Sequence, residues 1–152
     1  MKQAVLLSLL FFLAFLLHAQ ERHLNTGLSI EEQQAFVGMM LAEVIERFGP
    51  PRSVAVARGI ELWQDDVVLR YTGVDFYVFR DRVWQVRFNT THGISNGDRK
   101  EAALHVLGDS AEDMNEYALL SIDGEYWPLM LRVNFNNNGI VNAIFLYHPY
   151  FE

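Results

Sequence analysis

The stretch Val74 to Phe88 constrains the fold more than any other, because it reads as a β-hairpin in one register only. With Arg80, Asp81 and Arg82 as a three-residue loop, Phe79 opposes Val83, Val78 opposes Trp84, Phe76 opposes Val86 and Val74 opposes Phe88. One face is then wholly apolar: Val74, Phe76, Val78, Trp84, Val86 and Phe88. The other carries Asp75 opposite Arg87 and Tyr77 opposite Gln85. A slip of one residue in one strand would mix the faces. Burying the six apolar side chains contributes roughly 1.5–3 kcal/mol each, as an upper bound.

A second ribbon of this kind follows downstream. With Asn137, Asn138 and Gly139 as its loop, Phe135 opposes Val141, Val133 opposes Ala143, Leu131 opposes Phe145 and Leu129 opposes Tyr147. Gly139 takes the left-handed position such loops require. Each ribbon is preceded by a helical stripe. Ser29 and Glu32 have capping-box spacing, and Phe36, Val37, Met40, Leu41, Val44, Ile45 and Phe48 recur at helical intervals. Gly49 and Pro50-Pro51 end that helix, and Gly38 is placed to divide it. Asp98 with Glu101 suits the start of the second helix, which carries Ala103, Leu104 and Leu107 on one face and stops at Gly108. Gly38…Gly49 and Gly97…Gly108 superpose at an offset of 59, and the hairpins nearly so. The expected fold is α+β: two tandem units, 29–90 and 91–152, each a helix plus antiparallel β-sheet, with the helices on one face of the sheet. Further strands are expected at Val54–Ala57, Glu61–Trp63, Val67–Tyr71 and Tyr117–Ile122, with a return strand from Tyr126 and an edge or bulge at Pro128. Trp63, Trp84 and Trp127 are expected in the core.

The first 19 residues have the layout of a cleaved signal peptide: Lys2, an apolar run from Ala4 to Leu17, and the small residue Ala19. Residues 20–28 read as an irregular lead-in. Without Lys2, 11 basic residues, ten of them arginine, stand against 19 acidic ones, a net charge of −8. An acidic exported domain is poorly suited to nucleic acid or anionic membrane surfaces. With no cysteine, stability rests on an apolar core rather than disulfides. The expected location is periplasmic or secreted.

The segment Leu41 to Pro51, followed by Trp63 and the hairpin, resembles the helix–LGxP–W–hairpin pattern of BamE (SmpA/OmlA) domains. A tandem pair of such units is similar to the architecture of the β-lactamase inhibitory proteins, with Gly97 to Gly108 as the second matching helix. BamE proteins are lipoproteins and the inhibitory proteins carry disulfides, whereas this chain has no cysteine for either. It also has Asp109-Ser110 where the first unit has Pro50-Pro51. The resemblance implies the fold and a tendency toward protein binding.

No catalytic or metal-binding constellation emerges, and no cofactor is expected. His23, His92, His105 and His148 lack zinc-site spacing. Asp65-Asp66 is expected in a loop between Trp63 and Val67, and Asp109, Glu112, Asp113 and Glu116 form a solvated acidic run. In these registers the sheet face turned from the helices carries Tyr77, Phe79, Arg87, Met130, Arg132, Ile144 and Leu146. Aromatic, arginine and aliphatic groups together favour protein contact, so an exported, non-enzymatic binding module with a protein partner is expected. Two alternatives remain: a ligand-binding module with a pocket between helix and sheet or between the units, and a small hydrolase using Asp65 or Asp66 with His92.

Overall fold

The computed structural model describes residues 28–58 and 65–149; the signal-peptide segment, most of the lead-in, and the strand expected at Glu61–Trp63 with its Trp63 lie outside them. In chain order the described elements are α1 (Ile30–Gln34), α2 (Leu41–Phe48), β1 (Ser53–Ala57), β2 (Asp66–Tyr71), β3 (Val74–Phe79), β4 (Arg82–Phe88), β5 (Thr90–Thr91), β6 (Ile94–Ser95), α3 (Lys100–Leu107), β7 (Glu112–Asp113), β8 (Tyr117–Asp123), β9 (Pro128–Phe135) and β10 (Val141–Tyr147).

The expected pair of helix-plus-sheet units is corrected by the strand order. Eight strands form one antiparallel sheet, β1-β2-β3-β4-β10-β9-β8-β7, and β5 and β6 pair separately. The hairpins fuse where β4 meets β10: Ile144 lies opposite Phe88, Phe145 opposite Arg87, Leu146 opposite Val86 and Tyr147 opposite Gln85. Two separate ribbons would each leave a long unpaired edge. Joining them satisfies both edges and makes their apolar faces continuous. The fold is therefore dominated by the sheet, and the helices among the described residues have only 5, 8 and 8 residues.

The first hairpin keeps its expected register from Val74–Phe88 to Tyr77–Gln85 and departs from it at the tip. Phe79 faces Arg82 and Val78 faces Val83, so the turn has two residues. Both are left-handed, Arg80 at φ 46° and Asp81 at φ 66°, the twist that suits a right-handed ribbon. The extra residue becomes a bulge at Trp84, which leaves the helix-side face; Val83, 1% exposed, takes the inward place. The turn is also tied from outside the hairpin. Gly38 N–H donates to the Val83 carbonyl (2.7 Å), Val83 N–H to Met39 (2.9 Å) and Leu41 N–H to Asp81 (2.8 Å).

Those bonds show why the apolar stripe from Phe36 to Phe48 is not one helix. Ser29 and Glu32 form the expected capping box on α1. The chain then breaks at Gly38, φ 99°, lies against β4, and restarts as α2. A Cβ on Gly38 would overlap the Trp127 ring. At α3, Asp98 does not cap as expected. Its carboxylate accepts from the Ser95 N–H (2.7 Å), and the N-cap is Arg99, with no side-chain cap. Pro128 makes no bulge. It opens β9 opposite Asp123, where a missing N–H is tolerated, so the return strand starts there rather than at Tyr126.

The core lies between the helices and one face of the sheet. Phe36 is fully buried, with ring centroids 5.4 Å from Phe48, 5.4 Å from Phe76 and 6.3 Å from Phe88. Val44 with Leu41 and Phe48 from α2, and Ala103 with Leu104 and Leu107 from α3, add the helical contribution, and Leu131, Val133, Ile144 and Leu146 extend the core under β9 and β10. Trp127 packs half-buried against this core as expected, whereas Trp84 does not belong to it.

Candidate binding face

Cross-strand partners share a face, so the ladder registers define the surface opposite the helices. One row runs Arg70–Asp75–Arg87–Phe145–Arg132–Leu119 across six strands. Its neighbour runs Val68–Tyr77–Gln85–Tyr147–Met130–Ser121. Phe79 continues the face toward the hairpin tip. Tyr77, Phe79, Arg87, Met130 and Arg132 thus lie on one surface, each half-buried.

Ile144 and Leu146 do not. Both are fully buried on the helix side. The expected β9–β10 register holds at Val141–Phe135 and then shifts: Ala143 faces Asn134, Phe145 faces Arg132 and Tyr147 faces Met130. The bulge around Asn142 inverts everything after it. Phe145 and Tyr147 therefore occupy the face in their place, and sequence reasoning missed them. Ala143 to Tyr147 is apolar throughout, so alternation carries no signal there.

The face is a frame of aromatics and guanidinium groups. The Tyr77 and Phe145 rings meet edge-on at 6.3 Å, and Trp84 and Tyr147 at 6.5 Å. Arg132 lies over Tyr117, 4.1 Å from the ring centroid, while its Nε–H donates to Asn134 (2.8 Å). Arg87 reaches Asp75 at 4.0 Å and donates to the Asn142 carbonyl at 3.4 Å. Its Nε is buried and has no hydrogen-bond partner among the described residues. Arg87 and Arg132 flank Phe145, two strand spacings or roughly 10 Å apart. Burial pushes the Asp75 carboxyl above the usual range even though Arg87 and Arg70 pull it down. Burial likewise raises the Tyr77 phenol, with Asp75 adding to the effect.

The hydrolase alternative is not assembled. Asp66 is not in a loop but opens β2, 9% exposed, its carboxyl raised by burial against a hydrogen bond from Trp84. Asp65 pairs with Arg58. His92 sits in the β5–β6 turn, where its Nδ1 is 2.8 Å from the Thr91 hydroxyl. Burial lowers its pKa, opposed by Glu31. That turn follows the Phe88 end of β4, where Asn89 N–H bonds Gly73, at the far end of β2 from Asp66. The strand between spans roughly 17 Å, beyond the reach of acid–base partners. Among the described residues no group of three or more His, Asp or Glu is placed to hold a metal ion. Asp113 pairs with Lys100 at 2.8 Å, and Glu112-Asp113 form the short edge strand β7. His105 is exposed on α3. The phenylalanine cluster fills the middle of the space between helices and sheet, and clefts open at its margins, one of them between α1 and the β8–β9 turn.

No protein-family model and no curated protein matches this chain. Two solved structures are similar in part. One is an extracellular protein containing an SCP domain from Bacillus anthracis str. Ames, 11% identical, with a TM-score of 0.47; the match covers 76% of this chain and 45% of that one. The other is a DUF4309 family protein, YjgB, from Bacillus subtilis subsp. subtilis str. 168, 12% identical, with a TM-score of 0.43, covering 78% of this chain and 92% of that one. Neither is described as a BamE domain or a β-lactamase inhibitory protein, and neither likeness assigns a function. No helix among the described residues is long and apolar enough to cross a membrane.

Proposed function

We propose that this is an exported, non-enzymatic binding domain of the periplasm or extracellular space, which docks a protein partner on the sheet face away from its helices. The observation that carries this reading is the row Arg70–Asp75–Arg87–Phe145–Arg132. Three guanidinium groups stand with one carboxylate and an aromatic ring on an otherwise acidic chain. Arginine and aromatic side chains together are the usual anchors of protein interfaces, and the local excess of positive charge favours an acidic partner segment. The half-buried rings and stacked Arg132 are held in place before binding, which lowers the ordering cost of association.

The test is to replace Tyr77 and Arg132 with alanine, singly and together, and to compare proteins crosslinked in the envelope or secreted fraction. Recovery of a specific acidic partner should fall with each variant and with rising salt, while circular dichroism stays unchanged. Undiminished recovery by a folded double variant would remove the sheet face as the docking site.

A further inference from the structure

A second concavity lies at the hairpin-tip end of the sheet. It is a cleft of about 440 Å³ between the Val37–Gly38 segment, the first turn of β4, Trp127 and His148. Its volume falls within the roughly 300–1,000 Å³ of small-molecule sites. Three aromatic side chains line it, Phe79, Trp84 and Trp127, together with Val37 and Val83.

Each aromatic wall is fixed by something already described. The β4 bulge sends Trp84 out of the core, and its carbonyl accepts the His148 N–H at 3.0 Å. Trp127 lies where a side chain at position 38 would be and meets the His148 ring edge-on at 5.7 Å. Phe79 carries the Arg80 guanidinium, 5.1 Å from its ring centroid. The cleft is thus pre-formed, and its apolar walls accept a flat ring by stacked or edge-on contact.

Of the described Arg, Lys, Asp and Glu side chains only Arg82 lines the cleft, while the Asp66 carboxylate is engaged by the Trp84 indole behind its wall. Arg82 lines the cleft and spends one terminal nitrogen on the Gly38 carbonyl, at 2.8 Å. Its other guanidinium donors have no partner among the described residues. No carboxylate is among the lining residues. An exposed guanidinium held by one bond beside an apolar slot is suited to a carboxylate, which accepts paired N–H bonds.

We propose that this cleft binds a small aromatic carboxylate, its ring against Trp84, Trp127 and Phe79 and its acid group on Arg82. The proposed acid-binding group, Arg82, lies outside the docking face; the two sites share Phe79 and Trp84. The probe is indole-3-acetate, titrated into isotope-labelled protein and followed by NMR, with indole-3-acetamide as its uncharged counterpart. Saturable shifts are expected at the indole N–H signals of Trp84 and Trp127 and at the Gly38 and Arg82 amides. The amide should bind about tenfold or more weakly, the worth of one hydrogen bond to a charged group. Arg82→Gln should bring the acetate down to the level of the amide and leave the amide unchanged. Equal binding of acetate and amide to the unaltered protein would overturn the proposal, as would shifts centred on Tyr77, Phe145 and Arg132. The comparison of the two probes needs no variant, so it stands even if Arg82→Gln disturbs the contact with Gly38.

Discussion

Ala143 stands opposite Asn134 instead of opposite Val133, one residue out of the step that Val141 keeps with Phe135. This offset decides which half of β10 is core. It makes Ile144 and Leu146 interior and gives Phe145 and Tyr147 to the far face. Ile144→Ala should therefore cost about 2–5 kcal/mol in urea unfolding, as for other fully buried aliphatic side chains. Phe145→Ala, half-buried against Tyr77, should cost less than about 1.5 kcal/mol. Reversed costs would place the bulge elsewhere.

Gly38 and Gly97 have nearly the same backbone, φ 99° and 98°, in different surroundings. A Cβ at Gly97 meets nothing within 4 Å, whereas one at Gly38 runs into the Trp127 ring. Gly97→Ala should show only the backbone cost, about 1–3 kcal/mol. Gly38→Ala adds the displacement of Trp127 and should lower the thermal midpoint further, with a change in tryptophan fluorescence. Equal midpoints would mean that Trp127 does not rest on Gly38.

His92 should make stability fall on mild acidification. Burial holds the imidazole pKa below the ordinary 6.5, so the fold favours the neutral ring. A depressed pKa contributes stability that is present above the unfolded value and is lost as pH falls through the folded one. Asp66 and Asp75 act oppositely: their pKa values are raised, so their contribution is complete below the ordinary 3.8 and is lost as pH rises through the folded values. The readout is therefore a difference. The urea midpoint should drop less between about pH 7.5 and pH 5 in His92→Asn than in the unaltered protein. Asparagine suits the left-handed backbone at this position, φ 51°. Parallel curves for the two proteins would rule out His92 as the group responsible.

The capping box at α1 gives a local prediction. The Ser29 hydroxyl accepts from Glu32 N–H at 3.2 Å, and the Glu32 carboxylate accepts from Ser29 N–H at 2.9 Å. Ser29→Ala should cost about 1 kcal/mol, and hydrogen exchange should quicken first at the start of α1. Unaltered exchange there would show that α1 is held by its packing alone.

What could be read beforehand was local. The Ser29 cap, the left-handed Gly139 and the base of the first hairpin each depend on residues a few positions apart, where side-chain size and backbone preference suffice. Five of the seven residues assigned to the outer face follow from alternation and lie there. Ile144 and Leu146 failed because Ala143 to Tyr147 is apolar at every position, and either register buries a greasy side chain. The Trp84 bulge was hidden similarly, since Val83 and Trp84 both satisfy an apolar site.

The amino-acid order alone determined that two one-sided ribbons and short covering helices would form, because alternation and capping are encoded within a few residues. Only the tertiary structure decided that β4 and β10 would join the ribbons into one sheet, where the bulges would fall, and hence which rings line the open face and the tip cleft. Those choices depend on pairing edges and filling volume between segments far apart in the chain, and such energies belong to the assembled packing rather than to any one stretch of it.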